Sequence, residues 1–127
     1  MSPQTVTYFD EVLHHLEIKF RKLVGQDNLL YFCTDSASGL TFDLEYKKNN
    51  TIRLWKFIGT TSVLKARKKW VYQKDHDSPT LFGMEVTDEG DICFYAEQTV
   101  NRNDLKDNTS IPKLIRNYND IQKFLKL

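Results

Sequence analysis

Apolar residues recur at steps of three and four along the first 24 residues, which is the spacing of one face of an α-helix. Acidic residues come early in this stretch and basic residues late, as the helix dipole favours. Gly25 is a natural helix end. The pattern predicts a helix from about Pro3 to Val24. Its apolar stripe consists of Val6, Phe9, Val12, Leu13, Leu16, Phe20 and Leu23.

Three strand-like runs follow, with turn residues between them. Asn28 to Thr34 is rich in aromatic residues, Leu40 to Lys47 alternates between apolar and polar positions, and Thr51 to Ile58 is the third run. Asn49 and Asn50 tolerate positive φ, which indicates a tight hairpin before the third run. The three runs predict an antiparallel meander with one face toward the core.

The third strand is apolar on both faces, so its register with the second strand decides which face is exposed. With a two-residue turn, Leu44 pairs with Trp55, and Leu54 lies on the outer face. With a one-residue bulge the assignment reverses, and Trp55 and Phe57 are exposed instead. Both registers stay open, and either one leaves an apolar set for a partner or a covering helix. We therefore expect a partner-binding group on this strand, consisting of Ile52, Leu54, Trp55, Phe57 and Ile58.

The next segment predicts a second helix and a second hairpin. Thr60-Thr61-Ser62 is typical of a helix N-cap, and the helix is predicted from about Val63 to Lys74. Leu81 to Thr87 and Ile92 to Val100 flank the turn residues Asp88-Glu89-Gly90, which predicts two antiparallel strands.

A polar loop then leads to a last helix, which Ser110 is expected to cap, with Pro112 in its first turn. The predicted order is α-β-β-β-α-β-β-α. This order is typical of an α+β fold with an antiparallel sheet of about five strands and three helices. The sequence contains no internal repeat and no linker, so we expect one domain over residues 1–127.

Charge and composition narrow the classes of function. The chain has 127 residues, of which 40% are hydrophobic, and its net charge is +1. A dedicated nucleic-acid binder usually carries a basic excess, so nucleic acid is the lesser alternative, resting on a basic run in the second helix. The absence of a signal peptide and of a membrane-spanning run points to the cytoplasm and away from membranes. The basic run consists of Lys65, Arg67, Lys68 and Lys69.

The element order resembles the type III secretion chaperone-like fold, which includes the bacterial YbjN-like proteins. The opening helix around Tyr8-Phe9-Asp10-Glu11-Val12-Leu13, the meander, and the turn Val86-Thr87-Asp88-Glu89-Gly90-Asp91-Ile92 carry the likeness. The resemblance implies a homodimer that binds an extended segment of a client protein. It brings no catalytic residues. Members tend to be acidic, whereas this chain is nearly neutral, and this departure favours a general interaction role over secretion.

The enzyme alternative is a metal-dependent nuclease of the restriction-endonuclease-like class. Such sites use an Asp and a Glu-x-Lys on a neighbouring strand to hold Mg²⁺ and a water. Asp35, Glu45 and Lys47 offer these residue types, but charged residues alternate on many solvent-facing hairpins. The sequence shows no zinc signature and no phosphate-binding loop, so we expect no cofactor and no metal. The favoured hypothesis is a protein-binding module, chaperone-like or regulatory, that captures a client segment on a sheet face or edge.

Overall fold

The computed structural model describes residues 1–60, 79–101, 103–107 and 109–127, and the backbone of residues 68–72. Within these residues the chain forms a seven-stranded antiparallel sheet and two helices, which confirms the α+β class. The helices are α1 (Pro3–His15) and α2 (Ser110–Leu125). The strands are β1 (Ile18–Val24), β2 (Asn28–Asp35), β3 (Thr41–Lys47), β4 (Thr51–Thr60), β5 (Lys68–Tyr72), β6 (Thr80–Val86) and β7 (Asp91–Thr99). Their order in the sheet is β1-β2-β3-β4-β7-β6-β5.

The first helix ends earlier than the sequence pattern predicts. Glu17 adopts a left-handed conformation with φ 59°, and its N–H donates to the carbonyl of His14. The chain then continues as β1, in which Ile18 and Phe20 point toward the core and alternate with exposed basic residues. The apolar residues after His15 fit a helical step and also a strand step, so the prediction of a helix to Val24 is wrong beyond His15.

The described part of the predicted second helix is a strand. Lys68–Tyr72 forms β5 and pairs with β6, with Trp70 opposite Met84 and Tyr72 opposite Phe82. Aromatic and β-branched residues favour this extended conformation. For this reason, together with the extra strand β1, the described residues contain seven strands and two helices where the sequence predicts about five strands and three helices. The remainder of the prediction from Val63 to Lys74 lies outside the described residues.

The hairpin between β3 and β4 takes the bulged register. Lys47 pairs with Thr51 and Leu44 with Leu54, so three residues form the connection, and Asn50 has φ 66°. A three-residue connection with a left-handed last residue is a common hairpin geometry. The register sends Leu54 to the same side as Leu44 and sends Trp55 to the opposite side. This decides the alternative that the sequence left open.

Both helices cover the same face of the sheet. Phe9 of α1 packs against the rings of Tyr31 and Tyr46, with ring centroids 6.2 and 5.3 Å apart. Tyr118 of α2 stacks on Phe94 at 4.7 Å and donates a hydrogen bond of 2.7 Å to the Phe94 carbonyl. The core lies between this face and the helices, and we call this side of the sheet the covered face.

The start of α2 is held by Asp107 rather than by the predicted cap Ser110. The Asp107 carboxylate accepts from the N–H groups of Thr109 and Ser110, at 2.9 and 3.1 Å. These hydrogen bonds stabilise the charged form and lower the pKa of Asp107. Tyr8 of α1 donates to the carbonyls of Asp104 and Asp107, so the loop before α2 is fixed to the first helix.

Candidate protein-binding face

The second face of the sheet carries exposed apolar side chains on β1, β2 and β4. Leu23 is 60% exposed, Phe32 43% and Phe57 56%. Strand alternation places all three on the side opposite the covered face, and Trp55 of β4 lies half-buried beside them. We call this surface the open face. Its residues include Lys19, Arg21 and Leu23 on β1, Leu30 and Phe32 on β2, Asp43, Glu45 and Lys47 on β3, and Arg53, Trp55 and Phe57 on β4.

Toward β7 and β6, two described residues on the same side of the sheet are buried. Tyr95 of β7 is fully buried and Glu85 of β6 is nearly so. The Arg53 guanidinium lies 4.6 Å from the centre of the Tyr95 ring and pairs with the Glu85 carboxylate at 3.4 Å. This cation–π contact and ion pair form the inner border of the open face. Among the described residues, the most exposed large apolar side chains on this side of the sheet therefore lie in β1, β2 and β4.

A single row of the open face crosses four neighbouring strands. Arg21 pairs with Phe32, Phe32 with Asp43, and Asp43 with Trp55. Residues directly opposite each other in neighbouring antiparallel strands have side chains in reach of one another. Asp43 therefore lies between two aromatic residues, Phe32 on one neighbouring strand and Trp55 on the other. The exposed base Arg21 lies beyond Phe32.

The two acids of β3 on the open face differ in how they are satisfied. Glu45 accepts a hydrogen bond of 3.1 Å from the Asn28 amide and lies 3.8 Å from the Lys47 ammonium. Asp43 makes no hydrogen bond and no ion pair within the described part of the chain. Burial raises the pKa of the Asp43 carboxyl above its ordinary value. Asp43 is thus a half-buried carboxylate whose charged form is unstabilised by any described neighbour.

The contact group expected from the sequence is divided between the two faces. Ile52 and Leu54 are completely buried on the covered face, so they have no surface to offer a partner. Ile58 occupies the irregular step between Phe57 and Gly59 and packs against the core. Trp55 and Phe57 lie on the open face. Only these two residues of the expected group stay available to a partner.

Leu23, Phe32 and Asp43 lie on the open face but are not in the contact group that the sequence predicts. Leu23 was assigned to the opening helix, and Phe32 was read only as part of an apolar strand. The alternation from Leu40 to Lys47 puts Asp43 among the polar positions of its strand, but nothing in the sequence places it beside aromatic rings. Choosing the bulged register would have brought Asp43 opposite Trp55, since the strands pair one residue to one residue.

The three residues of the nuclease hypothesis do not converge. Asp35 lies at the end of β2 and lines a cleft of about 270 Å³ together with Arg116 and Asn119 of α2. Its carboxylate accepts from the Ser38 hydroxyl in the turn after β2. Glu45 pairs in register with Leu30, five residues earlier on β2, which corresponds to about 16 Å along the strand.

Glu45 and Lys47 do share the open face, whereas alternation along β2 puts Asp35 on the side of Cys33 and Tyr31. The described residues hold no group of three His, Cys, Asp or Glu side chains placed to bind a metal ion. Of the basic run, Lys68 and Lys69 lie in β5, and Lys65 and Arg67 lie outside the described residues.

Comparison of the chain with protein-family models, with curated proteins and with solved structures finds no match. Among the described helices, none is long and apolar enough to cross a bilayer.

Proposed function

We propose that this chain is a protein-binding module that takes up an extended segment of a client protein on the open face. The observation that carries the proposal is the difference in burial between the apolar side chains on the two sides of β1–β4. The covered face is sealed by both helices, while Leu23, Phe32 and Phe57 on the other side are in contact with water. Contiguous exposed apolar residues with polar residues among them are typical of interaction surfaces.

A narrow occupant fits this surface better than a second sheet. Two sheets that pack face to face lie about 10 Å apart and bury all the side chains between them. Such packing would bury the bases Lys19 and Arg21 at the β1 margin, which carry no ion pair among the described residues. Burying unpaired charges is costly. A single extended segment covers the aromatic residues of the open face and leaves Lys19 and Arg21 in water.

The homodimer expected from the sequence is a separate part of the proposal. Light scattering measures it without any client. We expect a dimer, and we expect the Phe57→Asp variant to remain a dimer, because in this proposal the open face binds the client and does not form the dimer contact. A dimer that dissociates in this variant would instead identify a second copy as the occupant of the open face.

The client site is tested by selecting binders from a random 16-residue peptide library displayed on phage, with the purified protein as bait. We expect the selected peptides to bind Phe57→Asp at least about 10-fold more weakly than wild type, since a buried aromatic anchor commonly supplies more than 1.4 kcal/mol. Phe124→Asp is the matched control, because Phe124 is 84% exposed on α2, away from the open face. Peptides that bind both variants as tightly as wild type would contradict the proposal.

A further inference from the structure

We infer that the open face selects client segments that carry an arginine or lysine, and that the Asp43 carboxylate is the group that receives this cation between Phe32 and Trp55. The inference rests on the proposed function, because it names the chemistry of the same client. It starts from one property of Asp43: no described residue pairs with it or hydrogen-bonds to it.

The bases nearest to Asp43 on the open face are engaged or too distant. Arg53 is held by Glu85 and by the ring of Tyr95, and Lys47 lies beside Glu45. Arg21 is two strands away, which is about 10 Å, with Phe32 between. No described residue therefore supplies a cation to Asp43, and a ligand cation would gain a charge-assisted contact without displacing one made by these residues.

The walls of the site also favour a cation. Phe32 and Trp55 stand directly opposite Asp43 on the two neighbouring strands. Aromatic faces attract ammonium and guanidinium groups, and Trp does so most strongly. A guanidinium can stack on a ring and bond a carboxylate through two N–H groups at once, so arginine is favoured over lysine. An anionic or purely apolar side chain would leave the Asp43 charge buried and unpaired.

The dimensions of the row predict the spacing of the client residues. Phe32 and Trp55 are separated by two strand spacings, about 10 Å, with Asp43 midway. In an extended segment lying across the strands, side chains at i−2, i and i+2 point to one side and span about 13 Å. Long side chains absorb the difference of about 3 Å. The expected motif is therefore apolar-x-(Arg/Lys)-x-apolar, with the cation on Asp43 and the apolar residues on Phe32 and Trp55.

The test uses one peptide from the phage selection that loses affinity for Phe57→Asp, synthesised with arginine or with citrulline at the central position. Citrulline keeps the shape of arginine and removes its charge. On the wild-type protein we expect the arginine peptide to bind at least about 10-fold more tightly than the citrulline peptide. On Asp43→Asn this ratio should fall to within about 2-fold. Glu45→Gln, the neighbouring acid that already has partners, should keep the wild-type ratio.

The outcomes separate this inference from the proposed function. Peptides that depend on Phe57 but show the same arginine-to-citrulline ratio on wild type and Asp43→Asn would overturn the inference and leave the client site standing. A library that yields no peptide sensitive to Phe57→Asp would overturn both. A dimer that dissociates in Asp43→Arg and in Arg21→Asp and re-forms when both changes are combined would make the second copy the source of the cation. That result would also overturn the inference.

Discussion

The two sides of β4 carry side chains of the same kind in opposite surroundings. Leu54 is fully buried on the covered face, whereas Phe57, three residues later, is 56% exposed on the open face. The covered face is closed by helices from the two ends of the chain, whereas among the described residues the open face is bordered on the β7 side by Arg53 and Tyr95. The hydrophobic effect has stabilised the fold on one side and is still available for association on the other.

The largest expected effect is a difference in stability between the two sides of β4. Leu54→Ala removes a completely buried side chain and should lower the free energy of unfolding by about 3 kcal/mol. Phe57→Ala should change it by no more than about 0.5 kcal/mol, as is typical of exposed positions. Urea unfolding followed by circular dichroism gives both values.

This pair also corrects an expectation from the sequence. The expected partner-binding group includes Leu54, but full burial means that a charge there would disrupt the core before it affected association. Equal losses of stability for Leu54→Ala and Phe57→Ala would mean that both sides of β4 belong to the core, and the contrast between the faces would fail.

The next effect concerns the hydroxyl of Tyr118 on the covered face, which is compared below with the carboxylate of Asp43 on the open face. Tyr118 stacks on Phe94 and donates a 2.7 Å hydrogen bond to its carbonyl, so the hydroxyl is satisfied inside the core. The Tyr118 hydroxyl is protonated at neutral pH, and burial raises its pKa further. Tyr118→Phe should lower the free energy of unfolding by about 1–1.5 kcal/mol, since it removes the donor and leaves the ring in place. Unchanged stability would show that this hydrogen bond contributes nothing to the covered face.

The sequence predicted the strand elements of the central sheet well, because their alternation and turn residues are local signals. Asn28 to Lys47 and the hairpin around Gly90 appear close to the predicted bounds, and Gly90 has φ 84° as its turn requires. The predictions failed where the spacing of apolar residues fits both a helix and a strand. In the stretch after His15 and in Lys68–Tyr72, pairing with a neighbouring strand decided the structure, and a neighbour is not visible in local pattern.

The candidate site was less predictable than the fold, for a related reason. The exposure of Trp55 depends on one extra residue in the β3–β4 connection, and the position of Asp43 between two rings depends on the registers of three strands together. Each register is set by cooperative packing of the covered face, not by the residues of the open face themselves. Sequence reasoning could therefore place Trp55 and Phe57 on a candidate face but could not name their neighbours there.

The smallest expected effect has the opposite sign from that at Tyr118. Because burial raises the pKa of Asp43, the folded chain binds a proton at this site more tightly than the unfolded chain does. Between the ordinary carboxyl pKa of 3.8 and the raised value in the fold, this group makes stability fall as pH rises, and above the raised value the penalty persists. Asp43→Asn removes it and should raise the free energy of unfolding at pH 7 by about 0.5 kcal/mol, a size suited to a partly exposed site.

The gain from Asp43→Asn should disappear when the wild-type carboxyl is protonated in both states, below about pH 3.5. Urea titrations at pH 7 and at the lowest pH at which the protein stays folded measure this difference. Glu45→Gln is the matched control and should bring no gain at either pH, because Glu45 already has Asn28 and Lys47 as partners. A loss of stability in Asp43→Asn at pH 7 would mean that the carboxylate is already satisfied within the free protein. In that case the Asp43 carboxylate would not be available to a cation of the client, and the two faces would differ only in the exposure of their side chains.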